Sequence, residues 1–150
     1  MRNLIYTGVL FSMLLSCDRD SVKTVDPNFA IESVMYIYVN DDAGKNLIGT
    51  ANYNEETIKV TYEEPSSPSQ DKKYVLLTDL NGNKFIKLFL NLGSHDSLSS
   101  TTLVKWNENN QDLLRAEISK NNNSAIVEKV YLGDDLICPD RDHMTVTLIK

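Results

Sequence analysis

The chain has 150 residues, with 21 Asp and Glu against 15 Lys and Arg, a formal charge of −6 and two cysteines. That length is one domain's worth of residues, enough to bury a real core. The acidic balance argues against a nucleic-acid partner, whose phosphates demand clustered Lys and Arg; Lys72-Lys73 is the only adjacent basic pair.

Arg2 opens the chain with a short basic start, and Leu4 to Leu15 is an apolar run interrupted only by small or aromatic residues. About a dozen residues cannot span a hydrocarbon core of roughly 30 Å. The run has the length of a signal-peptide apolar region, with the small Ser16 ahead of a cut. Leu14-Leu15-Ser16-Cys17 resembles a bacterial lipoprotein signal with its lipobox. The resemblance implies diacylglyceryl attachment to the Cys17 sulfur, cleavage after Ser16, and acylation of the new amino terminus by a chain such as palmitate. Several acyl chains give near-permanent membrane attachment where one would be marginal. The other reading is an ordinary secretion signal with Cys17 an incidental thiol. Asp18 and Asp20 resemble the surface-export signal of Bacteroidetes lipoproteins, whereas an Asp directly after the cysteine would mean inner-membrane retention in enterobacteria. The expected division is a cleaved signal over 1–16, lipidated Cys17 and a tether over 17–30, and a β domain over 31–150. With Cys17 lipidated, Cys138 has no partner and reads as a small buried apolar residue. A Cys17–Cys138 bridge is the alternative.

Within the tether, Asp26-Pro27 offers an N-cap and first helical position for a helix of two turns at most, ending near Ser33. Ser33 to Val39 is β-branched and aromatic on both faces and reads as a central strand. Asn40 to Gly44 is turn chemistry, and Leu47 to Tyr53 is a weaker strand candidate. Thr57 to Glu63 alternates, with Ile58, Val60 and Tyr62 facing one way. Glu64 to Lys72, with two prolines, is a loop.

Tyr74 to Leu80 and Lys84 to Leu90 flank Asn81-Gly82-Asn83, a strong hairpin signal because both Asn and Gly tolerate positive φ. Gly93 to Ser100 reads as a flexible loop. Strand patterns follow over Thr101–Trp106, Asp112–Ser119, Ala125–Leu132, Leu136–Cys138 and Met144–Leu148, with Asn-rich turns at 107–110 and 121–123. The expected fold is all-β, an antiparallel β-sandwich of the immunoglobulin type or a relative, with about eight to nine short strands. Ile58, Val60, Trp106, Leu114, Ile118, Val146 and Leu148 should point inward, by period-two alternation.

Asp42 to Ile48, Thr57 to Val60, Thr102 to Trp106 and Val130-Tyr131 before a turn are similar to segments of the small uncharacterised lipoproteins of Bacteroidetes. The likeness spans most of the chain after Cys17. It implies a β-sandwich at the outer membrane, surface-exposed, and supplies no catalytic residues.

Candidate chemistry is sparse. Asp140, Asp142 and His143 are the best metal-ligand set, although Arg141 among them opposes a cation and a solvated loop explains them more simply. His95, Asp96 and Ser97 are consecutive in a loop, and triads are usually assembled from separate segments. No cofactor, metal or catalytic set is expected. Trp106 and the tyrosines are candidates for stacking on sugar rings, against core burial as the simpler account. Ser21 and Ser97 lie in Asp-Ser-apolar triplets that resemble the O-glycosylation motif of Bacteroidetes. The functional expectation is a lipid-anchored, non-catalytic binding or accessory module of the cell envelope, its partner a glycan or a protein. The alternative is a surface glycan-binding protein serving a nutrient importer; a small hydrolase or metal-dependent enzyme comes last.

Overall fold

The structure, a computed structural model, describes residues 30–63, 73–94, 96–121 and 124–150. The apolar start, Cys17, Ser21, the Asp26-Pro27 helix candidate, the 64–72 loop and His95 lie outside these residues.

Alternating side chains produce strands over most of the described residues. The first segment changes sheets. β1 (Ala30–Glu32) pairs parallel with a strand of the larger sheet, and after Ser33 β2 (Val34–Asn40) enters the smaller one. Ser33 is buried at the switch and its carbonyl accepts from Leu90 N at 2.7 Å. Residues 30–32 are therefore extended, where the helix candidate would have been ending.

β3 (Lys59–Tyr62) follows, then β4 (Tyr74–Thr78) and β5 (Lys84–Phe89). The long strands β6 (Ser99–Asn107), β7 (Asn110–Asn121) and β8 (Ser124–Leu132) form a meander. β9 (Asp135–Cys138), a single 3-10 turn over Arg141–His143, and β10 (Thr145–Ile149) complete the domain.

The larger sheet has the order β1-β8-β7-β6-β3, with β9 sharing the edge of β8 that β1 also uses; the smaller is β10-β2-β5-β4. The all-β sandwich forms as the alternation requires. It is mainly antiparallel, with two parallel pairs, β1 with β8 and β2 with β10. β2 lies inside its sheet, as its apolar pattern implied.

Both inner faces share one core. Met35, Ile37, Ile86 and Leu88 come from the smaller sheet, and Val104, Trp106, Leu114, Ile118 and Val130 from the larger. Of the seven residues expected inward, Ile58, Trp106, Leu114, Ile118 and Leu148 are buried, and Val60 and Val146 pack half-buried against them. Each such side chain contributes about 1.5–3 kcal/mol when fully buried.

Two local expectations are corrected. Residues 47–53 form turns and no strand: Gly49 sits at φ 87 and its N–H donates to Tyr53 O at 2.6 Å, while Thr50 N donates to Leu47 O. The β4–β5 hairpin forms, but by a different device. Asp79 Oδ1 accepts from Asn81 N and Asn83 N, both at 2.9 Å, and Gly82 alone takes positive φ. Asp41 closes 41–45 in the same way, accepting from Ala43 N and Lys45 N with Gly44 at φ 80. An Asp side chain that satisfies two loop amides removes the need for a second positive-φ residue.

Candidate functional site

A depression among the described residues lies on the outer face of the larger sheet, at the β3 edge. Its volume is about 640 Å³. Three pieces of chain build it. Strand alternation sends Ile58 and Val60 inward and Lys59 outward. On β6 it sends Val104 and Trp106 inward and turns Lys105 and Asn107 to the groove. The β6–β7 hairpin tip adds Glu108, Asn109 and Asn110, and the turn segment before β3 adds Asn52, Glu56 and Thr57. Every lining residue is polar.

The groove is held from inside. A β-bulge falls between Lys105 and Asn107, so Trp106 has no residue opposite it on β7. Bulges bend a strand and re-aim its side chains. Trp106 is 0% exposed, and its Nε1 donates to Asp112 Oδ2 at 2.6 Å. Asp112 Oδ1 accepts from Lys150 Nζ at 2.6 Å, which ties the larger sheet to the end of β10. Asn107 Oδ1 accepts from Asn109 N at 2.9 Å and shapes the tip. Asn54 shapes the opposite wall, its Oδ1 accepting from Glu56 N and its Nδ2 donating to Thr50 O and Ala51 O.

Lys59 and Lys105 stand directly opposite each other in the β3–β6 register. Neither ammonium has an ion pair or hydrogen bond among the described residues. Glu56 and Glu108 sit on the rim as acceptors.

The residues expected from sequence do not converge here. Trp106 is excluded as a stacking surface because the inward alternation with Val104 buries its ring completely. Tyr53 is buried beside it, with ring centroids 6.5 Å apart. The hydroxyls of Tyr62 and Tyr74 are spent on backbone carbonyls, Phe89 O at 2.7 Å and Ile58 O at 3.1 Å. Burial pushes the Tyr62 phenol up to about 12. Tyr131 lies under the Arg115 guanidinium at 4.0 Å. Tyr36, Tyr38 and Phe85 form a half-buried cluster on the outer face of the smaller sheet, with centroids 5.0 and 6.0 Å apart.

Asp140 and His143 are brought together, but around each other. Asp140 caps the 3-10 turn: its Oδ1 accepts from Asp142 N at 3.0 Å and meets His143 Nδ1 at 2.7 Å. The His143 bond holds the Asp140 carboxyl below its usual range, and Asp140 in turn holds the imidazole above its own. Among the described residues no three His, Cys, Asp or Glu side chains are grouped to hold a metal.

Cys138 is a fully buried free thiol, pushed up to about 11 by burial and then by Asp140, so little nucleophilic thiolate forms near neutrality. Ser97 is half-buried and its hydroxyl donates to Ser99 O. Residues 91–94 are anchored, with Asn91 N donating to Thr102 Oγ1 and Lys120 Nζ to the carbonyls of Leu92 and Ser94.

No helix among the described residues is long and apolar enough to cross a membrane. No family model, curated protein or solved structure matches the chain.

Proposed function

We propose that this protein is a lipid-anchored, non-catalytic binding module of the cell envelope, held at the outer membrane through Cys17. The observation that carries the anchor is Leu14-Leu15-Ser16-Cys17 after a short apolar run. Asp18 to Asn28, polar in sequence as a tether would be, separates the anchor cysteine from β1 at Ala30. Binding in place of catalysis is supported by what the candidate reactive groups already do: Asp140 caps a turn and is bonded to His143, and Cys138 is sealed in the core.

Cys17→Ser tests the anchor. It should abolish acylation, block lipoprotein-type cleavage and free any matured protein from the membrane, while the domain melts at the same temperature. The intact mass of the native protein reads this directly. Added acyl chains support the anchor; a bare mature chain two hydrogens light supports a Cys17–Cys138 bridge. That bridge would close a loop of roughly 120 residues and contribute about 5 kcal/mol, so Cys17→Ser would then destabilise the fold.

The second reading, a surface glycan-binding protein serving a nutrient importer, is favoured by the outer groove. Its amide, carboxylate and ammonium lining provides donors and acceptors suited to hydroxyl groups.

A further inference from the structure

We propose that the groove beside Lys59 and Lys105 binds an acidic oligosaccharide, the lysine pair taking a sugar carboxylate and the surrounding amides and carboxylates taking ring hydroxyls. This rests on the glycan-binding reading and names its ligand class.

The two lysines are the anomaly. Like charges directly opposed across a ladder repel, and Lys59 faces Lys105 in register. Where the chain uses a lysine in its framework, it supplies an acceptor. Lys150 meets Asp112 at 2.6 Å, Lys129 meets Glu117 at 3.5 Å, and Lys120 donates to two carbonyls. Among the described residues Lys59 and Lys105 meet none; Lys45 and Lys84 also meet none, but neither faces a like charge across a ladder. An anion placed between them is attracted to both and relieves their mutual repulsion.

The rest of the lining says what carries that anion. Glu56 and Glu108 only accept hydrogen bonds, so the ligand must donate as well as accept. Free phosphate and nucleic-acid backbones present mostly acceptors and few hydroxyls, which leaves Glu56 and Glu108 without donors. No apolar side chain lines the groove, so an apolar peptide gains little by entering it. A uronic acid answers both halves of the site: its carboxylate suits the lysine pair, and its hydroxyls suit Glu56, Glu108 and the amides of Asn107 and Asn109. The floor is set in advance, because Trp106 between Lys105 and Asn107 is locked to Asp112 in the core. An open polar groove excludes little water, so the dissociation constant should be on the order of 0.1–1 mM per short oligosaccharide.

The test uses the full chain, isotopically labelled and held in detergent micelles. It is titrated with trisaccharides of galacturonate, glucuronate and mannuronate, with their carboxyl-reduced neutral counterparts, and with inorganic phosphate. At least one uronate should give saturable amide shifts confined to Lys59 and the Lys105–Asn110 hairpin. The reduced sugar should bind about tenfold more weakly, as expected for losing a charged hydrogen bond. Lys59→Ala and Lys105→Ala should each weaken uronate binding to a similar degree, with amide spectra unchanged outside the groove. Lys45→Ala, in the 41–45 turn outside the groove lining, should leave it unchanged. Absence of saturable shifts with every uronate overturns the proposal. So does an equal response to the reduced sugars, or phosphate binding as tightly as uronate. The Cys17→Ser chain should bind identically, so failure of the anchor and failure of the groove are separate results.

Discussion

Strand β6 carries opposite solutions on its two faces. Inward, Trp106 donates to Asp112, whose other oxygen holds the Lys150 ammonium; the side chains of Lys150 and Asp112 are 14% and 8% exposed. Outward, one residue earlier, Lys105 faces Lys59 with no carboxylate between them. The difference is one of solvent. A buried ammonium without a partner would lose several kcal/mol of hydration, so the inner face must supply a carboxylate. An outer ammonium stays hydrated, so the sheet tolerates an unmatched pair there at a small penalty. Unmatched charge is affordable only on the wet face, and that is where a ligand can complete it.

The largest test of this contrast is Asp112→Ala. It strands both Trp106 Nε1 and Lys150 Nζ, and should lower unfolding free energy by about 3–5 kcal/mol in a guanidinium titration. A loss under about 1 kcal/mol, the worth of an exposed pair, would mean that the inner network is not the tie between the sheets. On the outer face the sign reverses. Lys59→Thr removes a like-charge neighbour, keeps a β-branched residue in the strand, and should raise stability by about 0.2–1 kcal/mol. The gain should shrink with added salt, which screens the repulsion. A decrease in stability would show that Lys59 is matched after all.

The smallest effect belongs to Asp140 and His143, an exposed ion pair that sharpens the comparison because it has a partner but no burial. Asp140 raises the His143 pKa above its ordinary 6.5. The pair's contribution is therefore complete below pH 6.5 and is lost as pH rises through the folded value. The lowered Asp140 pKa sets the acid side, where the contribution is lost as pH falls below the ordinary 3.8 toward the folded value. His143→Ala should remove the slope at the upper edge and shrink the one on the acid side, because the His143 bond is the largest cause of the lowered Asp140 pKa. Proton NMR of the imidazole reads the folded pKa; a value at or below 6.5 would contradict the pairing.

Much of the fold was legible because strands announce themselves locally. Alternation put Ile58, Trp106, Leu114 and Leu148 on inner faces, and the doubly apolar Ser33–Val39 run marked an interior strand. The 47–53 segment misled because Leu47-Ile48 and Tyr53 are apolar at strand-like spacing. Gly49 at positive φ turns the chain between them, and Ile48 and Tyr53 reach the core from turns. Trp106 reads as inward by its alternation with Val104, with stacking on a sugar ring as the other account, and its complete burial bears out the first.

The groove was invisible for a different reason. Asn107–Asn110 read as an Asn-rich turn and Lys59 as an outward strand residue, and both readings stand. Their meeting depends on β3 pairing with β6 across more than forty intervening residues, together with the bulge at Trp106. By itself the sequence determined the all-β class, the inward and outward side of most strands, and the apolar run ending at Cys17, because period, turn chemistry and run length are properties of neighbouring residues. Tertiary structure alone decided which strands pair, the sheet switch at Ser33, the burial of Trp106 against Asp112 and Lys150, and the opposition of Lys59 and Lys105. These depend on long-range register, where a shift of one residue sends every side chain of a strand to the other face.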